Sequence, residues 1–152
     1  YDFTFCSRMD QEPLIDFIPV ARQELVVIVP PDHPLSDRTE IRLCETLDYP
    51  QILFSRRSGL RPMIDKLFLA CGKQPDCIFE IDEDQTIAGF VANGFGIAVV
   101  PNMPILASMH LKVIHITEAN WERRFYIAYL KNRYRTPLAE QFLSYVKSHA
   151  LI

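Results

Sequence analysis

No stretch of this sequence is long and apolar enough to cross a membrane, and no charge of one sign dominates it. Its 152 residues hold 16 lysines and arginines against 19 aspartates and glutamates, a net charge of −3. That balance gives no electrostatic reason for the segment to bind nucleic acid. The opening Tyr1-Asp2-Phe3-Thr4-Phe5-Cys6 has neither the basic leader nor the long apolar core of a secretory signal. It starts without Met, as a strand already under way, so a piece of a longer polypeptide is expected. The four cysteines, Cys6, Cys44, Cys71 and Cys77, show no CxxC spacing and no small disulfide scaffold. Reduced thiols are expected, with Cys6 and Cys77 as small buried hydrophobes in apolar strand patterns. His33, His110, His115 and His149 are scattered without an HExxH pair, so neither a metal site nor a cofactor is expected. A Gly-x-Ser-x-Gly elbow, a Walker loop and a dinucleotide fingerprint are all missing. The lone Gly94-Phe95-Gly96 lies between helix and strand, the reverse of the order a phosphate loop needs.

What the chain does contain is ordinary globular material, 49% apolar and 23% charged, enough for one domain or two small lobes. Its most informative run is Gly94-Phe95-Gly96-Ile97-Ala98-Val99-Val100-Pro101, after the amphipathic stretch 86–93. Gly94 supplies the positive φ that ends a helix, and Gly96 lets the strand start pass close to neighbouring backbone. Residues 97–100 are uniformly apolar, which predicts a parallel strand covered on both faces. Upstream, residues 25–29 form a continuous apolar strand stopped by Pro30 and Pro31, while residues 8–19 are polar and proline-punctuated and are expected to be a connection. Residues 43–47 predict a helical turn and 51–54 a strand. Leu60, Met63, Ile64, Leu67, Phe68 and Cys71 recur at helical spacing, with Pro62 in the first turn and Gly72 at the end. Cys77, Phe79 and Ile81 alternate as a strand. Strand, helix, strand, helix, strand over 51–101 therefore predicts an α/β fold with parallel crossovers. Residues 111–116 and 125–130 look extended, and Thr136-Pro137 caps a terminal helix with Leu138, Phe142, Tyr145, Val146 and His149 on one side.

In order and spacing these elements resemble the effector-binding domain of LysR-type transcriptional regulators over nearly the whole chain. The residues that carry the resemblance are Asp2-Phe3-Thr4-Phe5, Leu25-Val26-Val27-Ile28-Val29-Pro30-Pro31-Asp32-His33-Pro34-Leu35-Ser36, Ser58-Gly59 before a helix ending in Gly72-Lys73-Gln74-Pro75, and the Gly94 to Pro101 run. The resemblance implies a two-lobed, periplasmic-binding-protein-like α/β fold with a small molecule bound in the cleft between lobes. Residues 22–116 would be the second lobe, nearly complete, and 1–21 with 117–152 the remainder of the first. It also implies homodimers or higher oligomers, a cytoplasmic location, and contact with promoter DNA only through an N-terminal domain that this chain lacks.

The loop Ser55-Arg56-Arg57-Ser58-Gly59-Leu60-Arg61 leads into a helix start, where backbone N–H groups, serine hydroxyls and guanidinium groups suit a carboxylate or other oxyanion. The arginines equally suit a solvated surface, or pairing with Asp82, Glu83 and Asp84. Ser55, Ser58 and Arg61 are the stronger binding candidates, with Arg56 and Arg57 left to solvent or to those acidic partners. Asp82, with Gln85 three residues on, fits a capping box. By resemblance, Asp82 and Glu83 also face the cleft, Pro101 ends a strand on the same side, and Ser7, with Arg8, faces it from the first lobe. A small-molecule effector and no catalysis are expected. The rival functions are a transporter's solute-binding protein, or a small α/β enzyme whose nucleophile is not evident.

Overall fold

The computed structural model describes residues 1–7, 12–118 and 122–151. In chain order it contains β1 (Thr4–Cys6), β2 (Ile15–Val29), β3 (Glu40–Ile41), a 3-10 turn (Leu43–Asp48), β4 (Gln51–Phe54) and α1 (Arg61–Ala70). There follow β5 (Cys77–Ile81), α2 (Asp84–Ala92), β6 (Ala98–Pro101), a second 3-10 turn (Pro104–Ser108), β7 (Lys112–Ile116), β8 (Glu122–Leu130) and α3 (Pro137–Ser148). Contacts divide the chain into two compact units, Tyr1–Gln23 with Glu122–Ile152, and Glu24–Trp121.

In the second unit, the later part of β2 is the central strand. Leu25, Val26, Val27, Ile28 and Val29 are all fully buried, as an uninterrupted apolar run requires. β6 pairs antiparallel on one side of it (Val26↔Val100, Ile28↔Ala98) and β7 antiparallel on the other (Val27↔Ile114). β3 runs parallel to β7, and β4 parallel to β5. A single parallel bridge, Gln51↔Ile97, joins β4 to the approach of β6. α1 buries Ile64 and Phe68, one turn apart, and α2 buries Ile87, Ala88 and Val91. These side chains form one core with Ile41, Ile52, Phe54 and Ile114.

Gly94 has φ 79°, as the helix stop requires. A Cβ on Gly96 would lie 3.0 Å from both the Pro50 carbonyl and Ile78 Cδ1, which is the close approach predicted at that position. His33, within the proline-rich segment, accepts the Leu35 N–H through Nδ1 at 3.2 Å and sets its ring edge-on to Tyr49. Burial holds its pKa below the ordinary histidine value.

Three local expectations need correction. Residues 15–19 are strand, not connection, because Ile15, Phe17 and Ile18 continue β2 in the first unit. β6 is fully buried but antiparallel to its main partner, its parallel contact being the one bridge to β4. Cys77 is exposed and Cys6 half-buried, since β5 is an edge strand whose Ile78 and Phe79 also meet solvent.

In the first unit β1 pairs antiparallel with β8 (Thr4↔Ala128, Cys6↔Tyr126). A small core of Val20, Ile127 and Leu143 is extended by Phe3, Ile18, Phe125, Tyr129 and Val146. Thr136 caps α3, its hydroxyl accepting the Ala139 N–H at 3.3 Å. Leu138, Phe142 and Tyr145 lie on the exposed part of that helix, and Ala139 and Leu143 are its buried residues.

Candidate functional site

β4 and β5 are parallel, so the loops after them leave the sheet on the same side, where ligands gather in open α/β folds. The Ser55 N–H, first beyond β4, donates to the Ile81 carbonyl at 2.9 Å. This ties the two loops together and brings Ser55 against Asp82. The Ser55 hydroxyl donates to Asp82 Oδ1, and Arg57 Nη2 donates to Oδ2 at 2.7 Å. The Arg57 N–H returns to Ser55 Oγ at 3.3 Å. The Ser55 hydrogen bond, reinforced by the Arg57 charge, holds the Asp82 carboxyl below its ordinary value.

The rest of the loop is a pair of tight turns. Ser58 N–H bonds to the Ser55 carbonyl at 3.0 Å, and Arg61 N–H to the Ser58 carbonyl at 3.1 Å. Ser58 Oγ accepts the Leu60 N–H at 3.2 Å. Among the described residues, the N–H groups of Arg56 and Gly59 and the Arg56 guanidinium have no hydrogen-bond partner. The loop thus presents donors on a fixed backbone beside an ionised carboxylate. Such donors are chemically suited to a small polar molecule carrying an anionic group and hydroxyls.

Arg61 is the principal correction. Its side chain is only 11% exposed, and it points back under the loop instead of out of it. Nε donates to Asp65 Oδ1 at 2.8 Å, and Nη1 donates to the Phe54 carbonyl at 2.7 Å and to Glu80 Oε1 at 2.8 Å. That hydrogen bond holds the Glu80 carboxyl below its ordinary value. Arg61 therefore fastens α1 to the ends of β4 and β5. The spacing of Arg61 and Asp65, four apart on one helix, was the sequence signal for this pairing. Arg57 takes the other course weighed from the sequence, pairing with Asp82, and completes the Ser55–Asp82 arrangement.

The capping box at Asp82 is not formed. Glu83 is the N-cap of α2, without a side-chain cap bond, and Asp84 Oδ1 instead accepts the Gln85 N–H at 2.8 Å. Asp82 is held by Ser55 and Arg57, which removes it from the helix end. Glu83 is exposed; its carbonyl accepts the Ile87 N–H at 3.0 Å, and its side chain makes no hydrogen bond or ion pair among the described residues.

Pro101 is buried at the end of β6, opposite Leu25. Beyond it the Asn102 N–H donates to the Glu24 carbonyl at 2.8 Å, and Asn102 Nδ2 to Glu24 Oε2 at 3.2 Å. Glu24 Oε1 also meets His115 Nδ1 at 2.7 Å. The sequence did not single out Glu24 or His115, which are 91 residues apart and joined only by the β2–β7 pairing. Ser7 is half-buried just after β1 in the first unit, and Arg8 lies outside the described residues. Among the described residues no group of three histidine, cysteine, aspartate or glutamate side chains is arranged to hold a metal ion. No helix among them is long and apolar enough to cross a membrane.

The fold is that of effector-binding domains among solved structures. The family model of the LysR substrate binding domain matches residues 1–151, and the chain belongs to that family. It is 36% identical over 148 residues to YybE, an HTH-type transcriptional regulator of Bacillus subtilis, which spans 97% of this chain and 51% of YybE. It is 30% identical over 129 residues to the RuBisCO operon transcriptional regulator of Acidithiobacillus ferrooxidans (83% of this chain, 42% of that protein). The chain thus spans about half the length of the curated relatives it matches. Among solved structures, the effector binding domain of QuiR in complex with shikimate superposes with a TM-score of 0.91 at 39% identity, over 99% of this chain and 72% of that one. The regulatory domain of Synechocystis PCC6803 CcmR in complex with 2-PG gives 0.85 at 25% identity, over 98% and 73%. The architecture is therefore the periplasmic-binding-protein-like α/β fold of these effector domains.

Proposed function

We propose that this chain is the effector-sensing part of a bacterial LysR-type transcriptional regulator, and that it binds a small carboxylate or related oxyanion without transforming it. The observation that carries this is the family match over residues 1–151, joined to the likeness with a domain holding shikimate, itself a hydroxylated carboxylate. The loop at 55–60 supports the ligand class, because it offers the unpartnered N–H groups of Arg56 and Gly59 on the loop that Arg57 and Ser55 tie to Asp82. Ser55, Ser58, Arg57 and Asp82 form the anion and hydroxyl contacts, with Glu83 and Pro101 on other strand ends of the same unit. Arg61 is kept as the anchor of this loop, not as a ligand contact.

In this proposal the unit Glu24–Trp121 is the second lobe of the effector domain, and Tyr1–Gln23 with Glu122–Ile152 the remainder of the first. The domain self-associates in the cytoplasm, and promoter DNA is contacted by a part of the regulator outside this chain. Isothermal calorimetry of the full-length regulator against a panel of hydroxylated carboxylates, shikimate included, tests it. Saturable binding with no product formed is expected, and an acid at a hundred times its Kd should stabilise the fold by about 2.7 kcal/mol. Absence of binding across the panel, or conversion of a bound acid to product, would contradict it.

A further inference from the structure

A cavity of about 360 Å³ lies at the end of α2 away from Asp82, within the unit Glu24–Trp121. Residues 30–32 wall it where the chain leaves β2, residues 92–94 at the close of α2, and His110 ahead of β7. That volume is ordinary for a small-molecule site. None of these residues belongs to the 55–60 or 82–85 loops, so the effector chemistry leaves the cavity unexplained.

Its fixed charge has one sign. No lysine or arginine lines it, and the Asp32 carboxylate makes no hydrogen bond or ion pair among the described residues. His33 does not cancel that charge, because burial lowers its pKa and keeps the ring neutral. α2 brings the negative end of its dipole, and the Ala92 and Asn93 carbonyls accept no hydrogen bond among the described residues. The nearby donors are turned away. The Asn93 N–H bonds to the Gly89 carbonyl at 3.2 Å and the Gly94 N–H to that of Val91 at 2.9 Å. Asn93 Nδ2 also donates to the Gly89 carbonyl, at 2.8 Å, which leaves its Oδ1 as an acceptor. Pro30 and Pro31 have no N–H, and their rings, with the Ala92 methyl, supply apolar wall.

We propose that this cavity is a second ligand site, and that it binds an aliphatic ammonium ion. An ammonium group carries three N–H donors and a positive charge, which match the Asp32 carboxylate and the free carbonyls at the end of α2. Its hydrocarbon chain lies along the proline rings and Ala92. A carboxylate is repelled by the same groups, so the site selects a ligand class opposite in charge to that proposed for the effector, and it does not rest on that proposal. A metal ion fits less well than an amine, since no group of three histidine, cysteine, aspartate or glutamate side chains among the described residues is arranged to hold one. Occupancy fastens the close of α2 to the segment after β2, and the other end of that helix starts beside Asp82.

The test is isothermal calorimetry of the full-length regulator with putrescine and butylamine, and with butanol as the uncharged counterpart. Saturable binding of the amines and none of butanol is expected. Asp32→Asn should weaken amine binding by about tenfold or more, the worth of a hydrogen bond to a charged group. It should leave the circular dichroism and the response to organic acids as in the parent, which separates this site from the effector loops. Hydrogen–deuterium exchange with putrescine should show slower exchange at residues 92–96. Three results would overturn the site: no binding of either amine, amine binding that Asp32→Asn leaves intact, or protection at residues 82–85 in place of 92–96.

Discussion

Arg61 shows how one side chain changes meaning between a sequence and a fold. In a run of three arginines it looks like the cation of an anion site, yet it is buried against the Phe54 carbonyl with Asp65 and Glu80 as partners. Arg61→Ala removes the hydrogen bond to that carbonyl and a buried stem, so a loss of roughly 1–2 kcal/mol in urea unfolding is expected. Its effect on organic-acid affinity should be smaller than that of Arg57→Ala. Unaltered stability with abolished binding would restore Arg61 to the site. Asp82 gives a second prediction. Its folded carboxyl titrates below the unfolded value of about 4, so the stabilisation it provides is complete above that pH. It is lost as pH falls through the lower folded value. Ser55→Ala removes the largest cause, so the Asp82 carboxyl resonance followed by NMR should titrate closer to its ordinary value. An unmoved titration would mean that Ser55 does not hold Asp82. Ser55 and Asp82 were legible as strand-end residues because strand ends can be read from apolar runs. Which arginine joins them was not, since that depends on the direction each long side chain takes from its own turn.

At the scale of elements, the apolar runs and helical spacings read well and the pairing partners did not. Residues 25–29, 52–54 and 98–101 lie in strands because consecutive apolar residues are buried on both faces, which a sequence records directly. Whether β6 lies parallel or antiparallel to β2 depends on tertiary order, which no local pattern encodes. The exposed β5 misled for a related reason, since alternating Cys77, Phe79 and Ile81 look half-buried until the strand is found at an edge. Gly96 and Gly59 offer a paired test of the backbone account. Gly96→Ala pushes a methyl to 3.0 Å from the Pro50 carbonyl, a contact that backbone cannot easily relieve. A cost of about 1–3 kcal/mol in denaturant unfolding is expected. Gly59→Ala meets nothing within 4 Å and should leave stability nearly unchanged. Equal effects at the two positions would contradict the close approach at Gly96. Phe68→Ala, at the centre of the α1 contact, should cost about 3–5 kcal/mol by the same measurement.

At the scale of the whole molecule, two compact units share β2, and the strand passes from one to the other between Gln23 and Glu24. The family to which the chain belongs was legible because order and spacing survive where single motifs are weak. The effector itself is not legible, because it depends on the direction of a few side chains. Hydrogen–deuterium exchange on the full-length regulator, with and without a bound hydroxylated carboxylate, tests the central claim most directly. Slower exchange is expected at the amides of residues 55–60 and 82–85, where the β4 and β5 loops are tied together. Protection confined to other segments, with those loops exchanging at the ligand-free rate, would contradict the assignment of the effector site to these strand ends.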